Sequence, residues 1–194
     1  MILITRHGQT EWNTVDRMQG RRDSALTERG KEQAKTLASV LESYDPDRII
    51  SSPLGRAKQT SRIISEHAGL PVEFDNRLKE VDIGSYSGLS KEDIDDQDPG
   101  FLERRAKNKW TCRWPKGESY ADAAERVSGL ARSANKLHGS VILAHRSLNR
   151  ALLRELLDLQ PREALEIEQE NDTLFEVRRN GTYHKRRYSA ILSE

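Results

Sequence analysis

The chain has 194 residues, 35% hydrophobic and 32% charged. That is enough apolar content for one sizeable core and too much for a disordered chain. Thirty-two Lys and Arg against 31 Asp and Glu leave a formal charge of +1, which provides no overall attraction to nucleic acid or to an anionic membrane. One cysteine, Cys112, excludes an internal disulfide and a cysteine-based zinc site.

The apolar run 1–5 predicts a buried strand and is too short for a signal peptide; no stretch approaches a membrane span. A cytoplasmic location is expected, with no membrane and no nucleic-acid partner. Thr27 predicts an N-cap, with Ala34, Leu37, Ala38 and Leu41 following at helical spacing. Residues 47–50 predict a short second strand. Ser51-Ser52-Pro53 then leads into a helix over 55–67, and 71–74 predicts a third strand.

From 75 to 116 the pattern is irregular. It holds an acidic run, KEDIDDQD at 91–98, and a basic one, RRAKNK at 104–109; such runs ordinarily form solvated helix faces. Trp110 and Trp114 in this region read as anchors of a lid on the core. Ser119 and Asp122 match a capping pair ahead of a helix whose apolar face is Ala123, Val127, Leu130, Ala131 and Ala134. Residues 141–144 predict a central strand and 148–157 a helix. The segments 173–177 and 182–188 predict a hairpin around Asn180-Gly181. HKRR at 184–187 reads as the exposed face of its edge strand, where cations prevent sheet-to-sheet pairing. Strands alternating with helices predict a single α/β domain over 1–194. Its sheet is mostly parallel, covered by helices on both faces, with the hairpin as an antiparallel edge.

Three of these strands run into polar residues of one chemical kind. The first meets Arg6-His7, the second is followed by Arg56 in the first helical turn, and the fourth meets His145-Arg146. Ligands of open α/β sheets bind beyond the carboxyl ends of strands, where helix N-termini add backbone N–H groups. Two histidines and at least two arginines gathered there make a site for an anion, with phosphate the first candidate because Arg offers it a planar fork. His67, His138 and His184 are scattered, without ligand spacing.

The ordered stretches RHGQTEWN, GRRDSALTERGKEQA, SSPLGRAKQT, LKEVDIGSYSG and LAHRSLNRALL resemble the histidine phosphatase, or phosphoglycerate mutase-like, superfamily. The resemblance implies a three-layer α/β/α sandwich and a covalent phosphohistidine mechanism that needs no metal or other cofactor. It assigns His7 as nucleophile, Arg6, Arg56 and His145 as the cage of the transferring phosphoryl group, and Asn13 as a further phosphate contact. Glu80 matches the acid that protonates the leaving alcohol and later activates water, with Asp82 as the nearby rival.

The block FLERRAKNKWTCRWPKGESYADAAERV resembles most the fructose-2,6-bisphosphatase branch. That likeness implies a small phosphorylated metabolite as partner, a sugar bisphosphate such as fructose 2,6-bisphosphate. Arg105, Lys109, Tyr120 and Arg150 match contacts to its second phosphate and sugar. Arg146 stands where that branch has a glutamine, and Lys91 where it has a tyrosine. Both changes add positive charge, so both fit a more anionic substrate, and Arg146 joins the expected binding set. A cofactor-dependent phosphoglycerate mutase shares the same core residues, but usually carries a longer central insertion. A broad-specificity or α-ribazole phosphatase fits RMQGRRDSALTERG.

Overall fold

In the computed structural model, residues 1–191 are described. The chain runs β1 (Ile2–Arg6), α1 (Glu11–Thr14), α2 (Glu28–Leu41), β2 (Arg48–Ser51), α3 (Gly55–Ala68), β3 (Val72–Phe74), α4 (Lys91–Gln97), α5 (Phe101–Lys107) and α6 (Tyr120–Arg132). It continues through β4 (Ser140–Ala144), α7 (Arg146–Leu157), α8 (Pro161–Glu166), β5 (Thr173–Val177), β6 (Tyr183–Arg187) and α9 (Tyr188–Ile191). Six strands form one sheet in the order β3-β2-β4-β1-β5-β6. The β3–β2, β2–β4 and β4–β1 pairs are parallel, and β1–β5 and β5–β6 antiparallel. The expected α/β/α sandwich is therefore present, with the hairpin as its antiparallel edge.

Side-chain alternation along each strand sorts the core into two halves. Leu3 sits beside Val141, which sits beside Ile49. These three pack with Ala34, Leu37 and Leu41 of α2 and with Ala57 and Ile64 of α3. One residue on, Ile4, Ile142 and Ile50 align and face the other way, onto Val127 and Leu130 of α6 and Leu148 and Leu152 of α7. Both faces are thus apolar because both are covered, as parallel sheets require.

The predicted caps Thr27 and Ser119 hold. Thr27 accepts from the Gly30 amide, and Ser119 with Asp122 forms a reciprocal capping box. Ala134 falls just beyond α6, in a single 3₁₀ turn. Helix α7 starts two residues before the predicted Leu148, since His145 itself serves as its N-cap. The stretch 75–116 is less irregular than its pattern suggests: Ser90 caps α4, and α5 buries Phe101 and Arg105. Trp114 joins Tyr86 and Phe101 in the core, and Trp110 stacks on Tyr120. All five residues of β6 are exposed, so HKRR does line a solvated edge.

A close approach of backbone to backbone fixes α2 against the loop after β1. A Cβ on Gly30 would lie 2.0 Å from the Gln9 carbonyl oxygen, and one on Gly8 2.3 Å from the Gly30 carbonyl oxygen. In an open helix Gly→Ala gains about 1 kcal/mol. Here Gly30→Ala is expected to destabilise the fold by roughly 1–3 kcal/mol, the cost of overpacking. Urea denaturation checks this; an unchanged or raised midpoint contradicts the contact.

Candidate active site

The parallel ladders continue one residue past the strands and so place the polar residues that follow. The His7 amide donates to the Ala144 carbonyl at 3.2 Å, and the Ser52 amide to the Leu143 carbonyl at 2.9 Å. Residues at the ends of β1, β2 and β4 therefore converge on one edge, the carboxyl edge of the parallel strands. The His7 and His145 rings lie 5.3 Å apart.

His7 is buried, with 2% of its surface exposed. Its Nδ1 lies 2.8 Å from the Gly8 carbonyl oxygen. A carbonyl only accepts, so Nδ1 carries the proton and Nε2 keeps its lone pair. The Arg56 Nε–H donates to that lone pair at 3.1 Å. Burial, then the charges of Arg56 and Arg6, push the His7 pKa well below its ordinary value. The imidazole is neutral and its free nitrogen points at a guanidinium: the state a nucleophile needs.

Arg56 is 1% exposed, and its other donors are bound. Nη1 donates to the Arg22 carbonyl at 2.6 Å and to Asp23 Oδ1 at 2.8 Å, and Nη2 to the Gly20 carbonyl at 2.8 Å. Asp23 also accepts from the Gly55 and Arg56 amides at 2.7 and 3.1 Å. It thus caps α3 from a distant loop. Arg6 is held more loosely, with Nη1 3.4 Å from the Gln169 carbonyl oxygen and a buried Nε that has no partner among the described residues. Burial lowers its pKa to about 10; Glu80 opposes the shift, and Arg146 and Arg56 reinforce it.

His145 is fully buried, with Nε2 2.7 Å from Ser52 Oγ and Nδ1 without a partner among the described residues. Burial, with Arg56, His7 and Arg6 next, drives its pKa far down as well. It neighbours His7 but is not among the residues that line the cavity.

That cavity, about 210 Å³, is lined by Arg6, His7, Asn13, Arg17, Arg56, Glu80 and Arg146 among others. Asn13 Oδ1 accepts from the Thr10 amide, which leaves its NH₂ as the donor for a ligand. Glu80 is the one carboxylate among the described lining residues. Its Oε1 accepts from the Val81 and Leu148 amides, both at 2.9 Å, and its Oε2 from the Ser147 amide at 3.2 Å. The first turn of α7 thereby fixes its orientation. Asp82 does not line the cavity; it pairs with Arg21 at 3.1 Å and accepts from the Gly84 amide.

A second cavity of about 510 Å³ adjoins the first through Met18, Ile83, Arg146 and Ser147. Lys91, Arg105, Lys109, Arg146 and Arg150 line it, and no carboxylate does among the described residues. The basic run 104–109 divides accordingly. Arg104 and Lys107 are exposed and pair with Asp98 and Glu103. Arg105 turns inward, 4.1 Å over the Trp114 ring, its Nε without a partner among the described residues, and Lys109 lines the same cavity. Burial, then Arg150, Arg105, Arg146 and Lys91, lower the Lys109 pKa. Arg150 donates to the Ile167 carbonyl at 2.7 Å and to the Tyr120 hydroxyl at 3.3 Å. Among the described residues, no three His, Cys, Asp or Glu side chains gather as a metal site, and no helix is long and apolar enough to cross a membrane.

Asp23 and Ser52 carry structural work that the sequence did not assign. Asp23 and Ser52 lie inside quoted motifs, so a signal existed, but nothing in the spacing shows which helix or ring they reach.

The profile of the histidine phosphatase superfamily (branch 1) matches residues 2–188, and the chain belongs to that superfamily. A probable phosphoglycerate mutase, GpmB of Salmonella arizonae, is 35% identical over 136 residues, 70% of this chain and 63% of that protein. The match therefore spans less than two thirds of that relative's length. The structure of a mycobacterial glucosyl-3-phosphoglycerate phosphatase with VO3 superposes with a TM-score of 0.79 at 34% identity, over 90% of this chain and 92% of that one. A putative α-ribazole-5'-P phosphatase from Escherichia coli gives a TM-score of 0.81 at 20% identity, over 95% and 93%, a likeness of fold alone. None of the three is a fructose-2,6-bisphosphatase, the branch that WPKGESY suggested.

The two depressed imidazoles bear on stability. An unfolded histidine protonates near pH 6.5, whereas His7 and His145 stay neutral in the fold until well below it. The unfolded chain thus binds more protons as pH falls, so stability is present above about pH 6.5 and is lost below it, by up to about 1.4 kcal/mol per pH unit for each group. Urea unfolding at pH 7.0 and 5.5 should show this fall, and His145→Gln should reduce it. Equal slopes in wild type and variant would show that His145 protonates as readily in the fold as in the unfolded chain.

Proposed function

We propose that the protein is a phosphomonoester hydrolase that transfers a phosphoryl group to His7 Nε2 and then to water. The observation that carries this reading is the tautomer of His7: its proton is held by the Gly8 carbonyl, and its lone pair faces Arg56 in a buried cationic pocket. In the reaction Nε2 attacks phosphorus while Arg56, Arg6 and Asn13 take the phosphoryl oxygens, supplying charge where it develops. His145 and Ser52 back the pocket. Glu80 protonates the departing oxygen and afterwards takes a proton from the attacking water.

The larger cavity bears on the substrate. Five cations beside the phosphoryl pocket, with no carboxylate among its described lining residues, suit a small metabolite with a second anionic group. A sugar bisphosphate such as fructose 2,6-bisphosphate fits, with Lys109, Arg105 and Arg150 on the distant phosphate and Tyr120 on the sugar. A phosphoglycerate derivative, with a carboxylate in that place, is the second reading. It is supported by the likeness to the probable phosphoglycerate mutase and to the glucosyl-3-phosphoglycerate phosphatase.

Two experiments test the proposal. Rapid quench with labelled substrate should trap an acid-labile, base-stable phosphoenzyme that is absent in His7→Ala; turnover persisting in that variant would overturn the mechanism. Lys109→Ala and Arg105→Ala should lose roughly ten- to a hundredfold in kcat/KM on fructose 2,6-bisphosphate or a phosphoglycerate derivative, the value of one charge-assisted contact. Simple monophosphates should be unaffected. Equal losses on both kinds of substrate would leave a broad phosphomonoesterase, and the better of the two anionic substrates decides between the readings.

A further inference from the structure

Glu80 sits on an irregular segment between two 3₁₀ turns, 76–78 and 84–86, yet an acid–base group must be held to within a fraction of an ångström. The first turn of α7 fixes its carboxylate, as described above. A second set of bonds fixes the backbone on either side of it, and all of them lead to one ion pair outside the cavity.

Glu118 and Arg126 form that pair, each side chain only 19% exposed. The Arg126 Nε and Nη2 donate to the two Glu118 carboxylate oxygens at 3.1 and 2.8 Å, a two-pronged contact with little freedom to rotate. Arg126 Nη1 then donates to the carbonyls of Arg77 and Lys79 at 2.6 and 2.9 Å. Glu118 Oε2 accepts from the Asp82 amide at 3.1 Å, and the Glu118 amide donates to the Asp82 carbonyl at 2.8 Å. Arg21 closes the cluster, bonding Glu118 at 2.8 Å and Asp82 at 3.1 Å. Backbone groups of residues 77, 79 and 82 are thus all engaged around residue 80. Neither Glu118 nor Arg126 lines the two cavities, so neither has a reason to touch substrate.

We propose that Glu118, acting with Arg126, is a positioning residue for Glu80. The inference rests on Glu80 being the acid–base group. Glu118 holds the 77–82 segment so that the carboxylate of Glu80 remains at the N-terminus of α7 and at the cavity wall. If the pair is removed, the segment gains freedom and proton transfer suffers, while attack by His7 does not.

Leaving-group dependence separates this role from general loss of structure. p-Nitrophenolate needs little protonation to depart, whereas the alkoxide of glycerol 3-phosphate needs it fully. Glu118→Ala and the milder Glu118→Gln should lower turnover of glycerol 3-phosphate by at least about tenfold for Ala and less for Gln. The burst of p-nitrophenolate from p-nitrophenyl phosphate, which reports phosphoenzyme formation, should change less than about threefold. In a Glu80→Gln background, Glu118→Ala should add little, because the group it positions is gone. Thermal unfolding of each variant identifies any that has failed to fold, and Glu118→Gln, which keeps shape and an acceptor for the Asp82 amide, stands in if Glu118→Ala does. Equal losses on both substrates, or full additivity with Glu80→Gln, overturn the positioning role. If Glu80→Gln itself shows no dependence on the leaving group, the acid–base reading of Glu80 fails first and this inference with it. Selectivity in Glu80→Gln but not in either Glu118 variant removes only the inference.

Discussion

A guanidinium buried to 1% exposure, that of Arg56, is the constraint around which the first sixty residues are organised. A charge taken out of water is tolerated only when its donors are met. Three carbonyl or carboxylate groups from the loop 20–23 and one imidazole meet them. The loop cannot drift without stranding the charge, so its course is fixed. Asp23, held there by Arg56, then caps α3, the helix that carries Arg56. Arg56, loop and helix therefore hold one another in place. Burial first, and the Arg56 charge after it, keep His7 and His145 neutral, so one side chain both braces the wall of the pocket and adds to its electrostatics.

Positive charge is also spread unevenly over a chain that is almost neutral overall. Outward-facing cations such as Arg104, Lys107 and Arg162 have carboxylate partners within their own helix or beside it. Lys91, Lys109 and Arg146, which line the larger cavity, have no carboxylate partner among the described residues. Several cations without a carboxylate partner among the described residues border the two adjoining cavities. A ligand that supplies two anionic groups fits this arrangement better than one that supplies a single group.

Most of the architecture was legible because it follows from local patterns. Runs of four or five apolar residues gave the central strands, the caps Thr27 and Ser119 gave helix starts, and Asn180-Gly181 gave the hairpin. The arginines and histidines at strand ends were legible as a site because sheet topology brings strand ends together whatever the loops do. What stayed hidden depends on long-range contact. Helix α8 has Pro161 and a Gln160–Glu163 capping box, but too few residues to show a period. In RRAKNK nothing local marks Arg105 as buried and Arg104 as exposed; the distinction comes from Trp114 and Tyr120 arriving from later in the chain. Asp23 reaches over 30 residues to cap α3, and Glu118 pairs with Asp82 across a similar gap. Such partnerships leave no periodic trace.

The hydrogen bond between Arg56 Nε and His7 Nε2 makes ligand capture an exchange. The lone pair of His7 Nε2 already has a proton donor, so under the proposed mechanism an incoming phosphoryl group must first take Arg56 over through its own oxygen. Only a ligand with a strong acceptor for that N–H can uncover the nitrogen without leaving a buried donor unsatisfied. Electrophiles without an oxyanion, alkyl halides among them, offer that N–H no charge-assisted acceptor and meet an imidazole nitrogen shielded by its own neighbour. The pocket thereby ties access to the His7 nitrogen to the presence of an oxyanion.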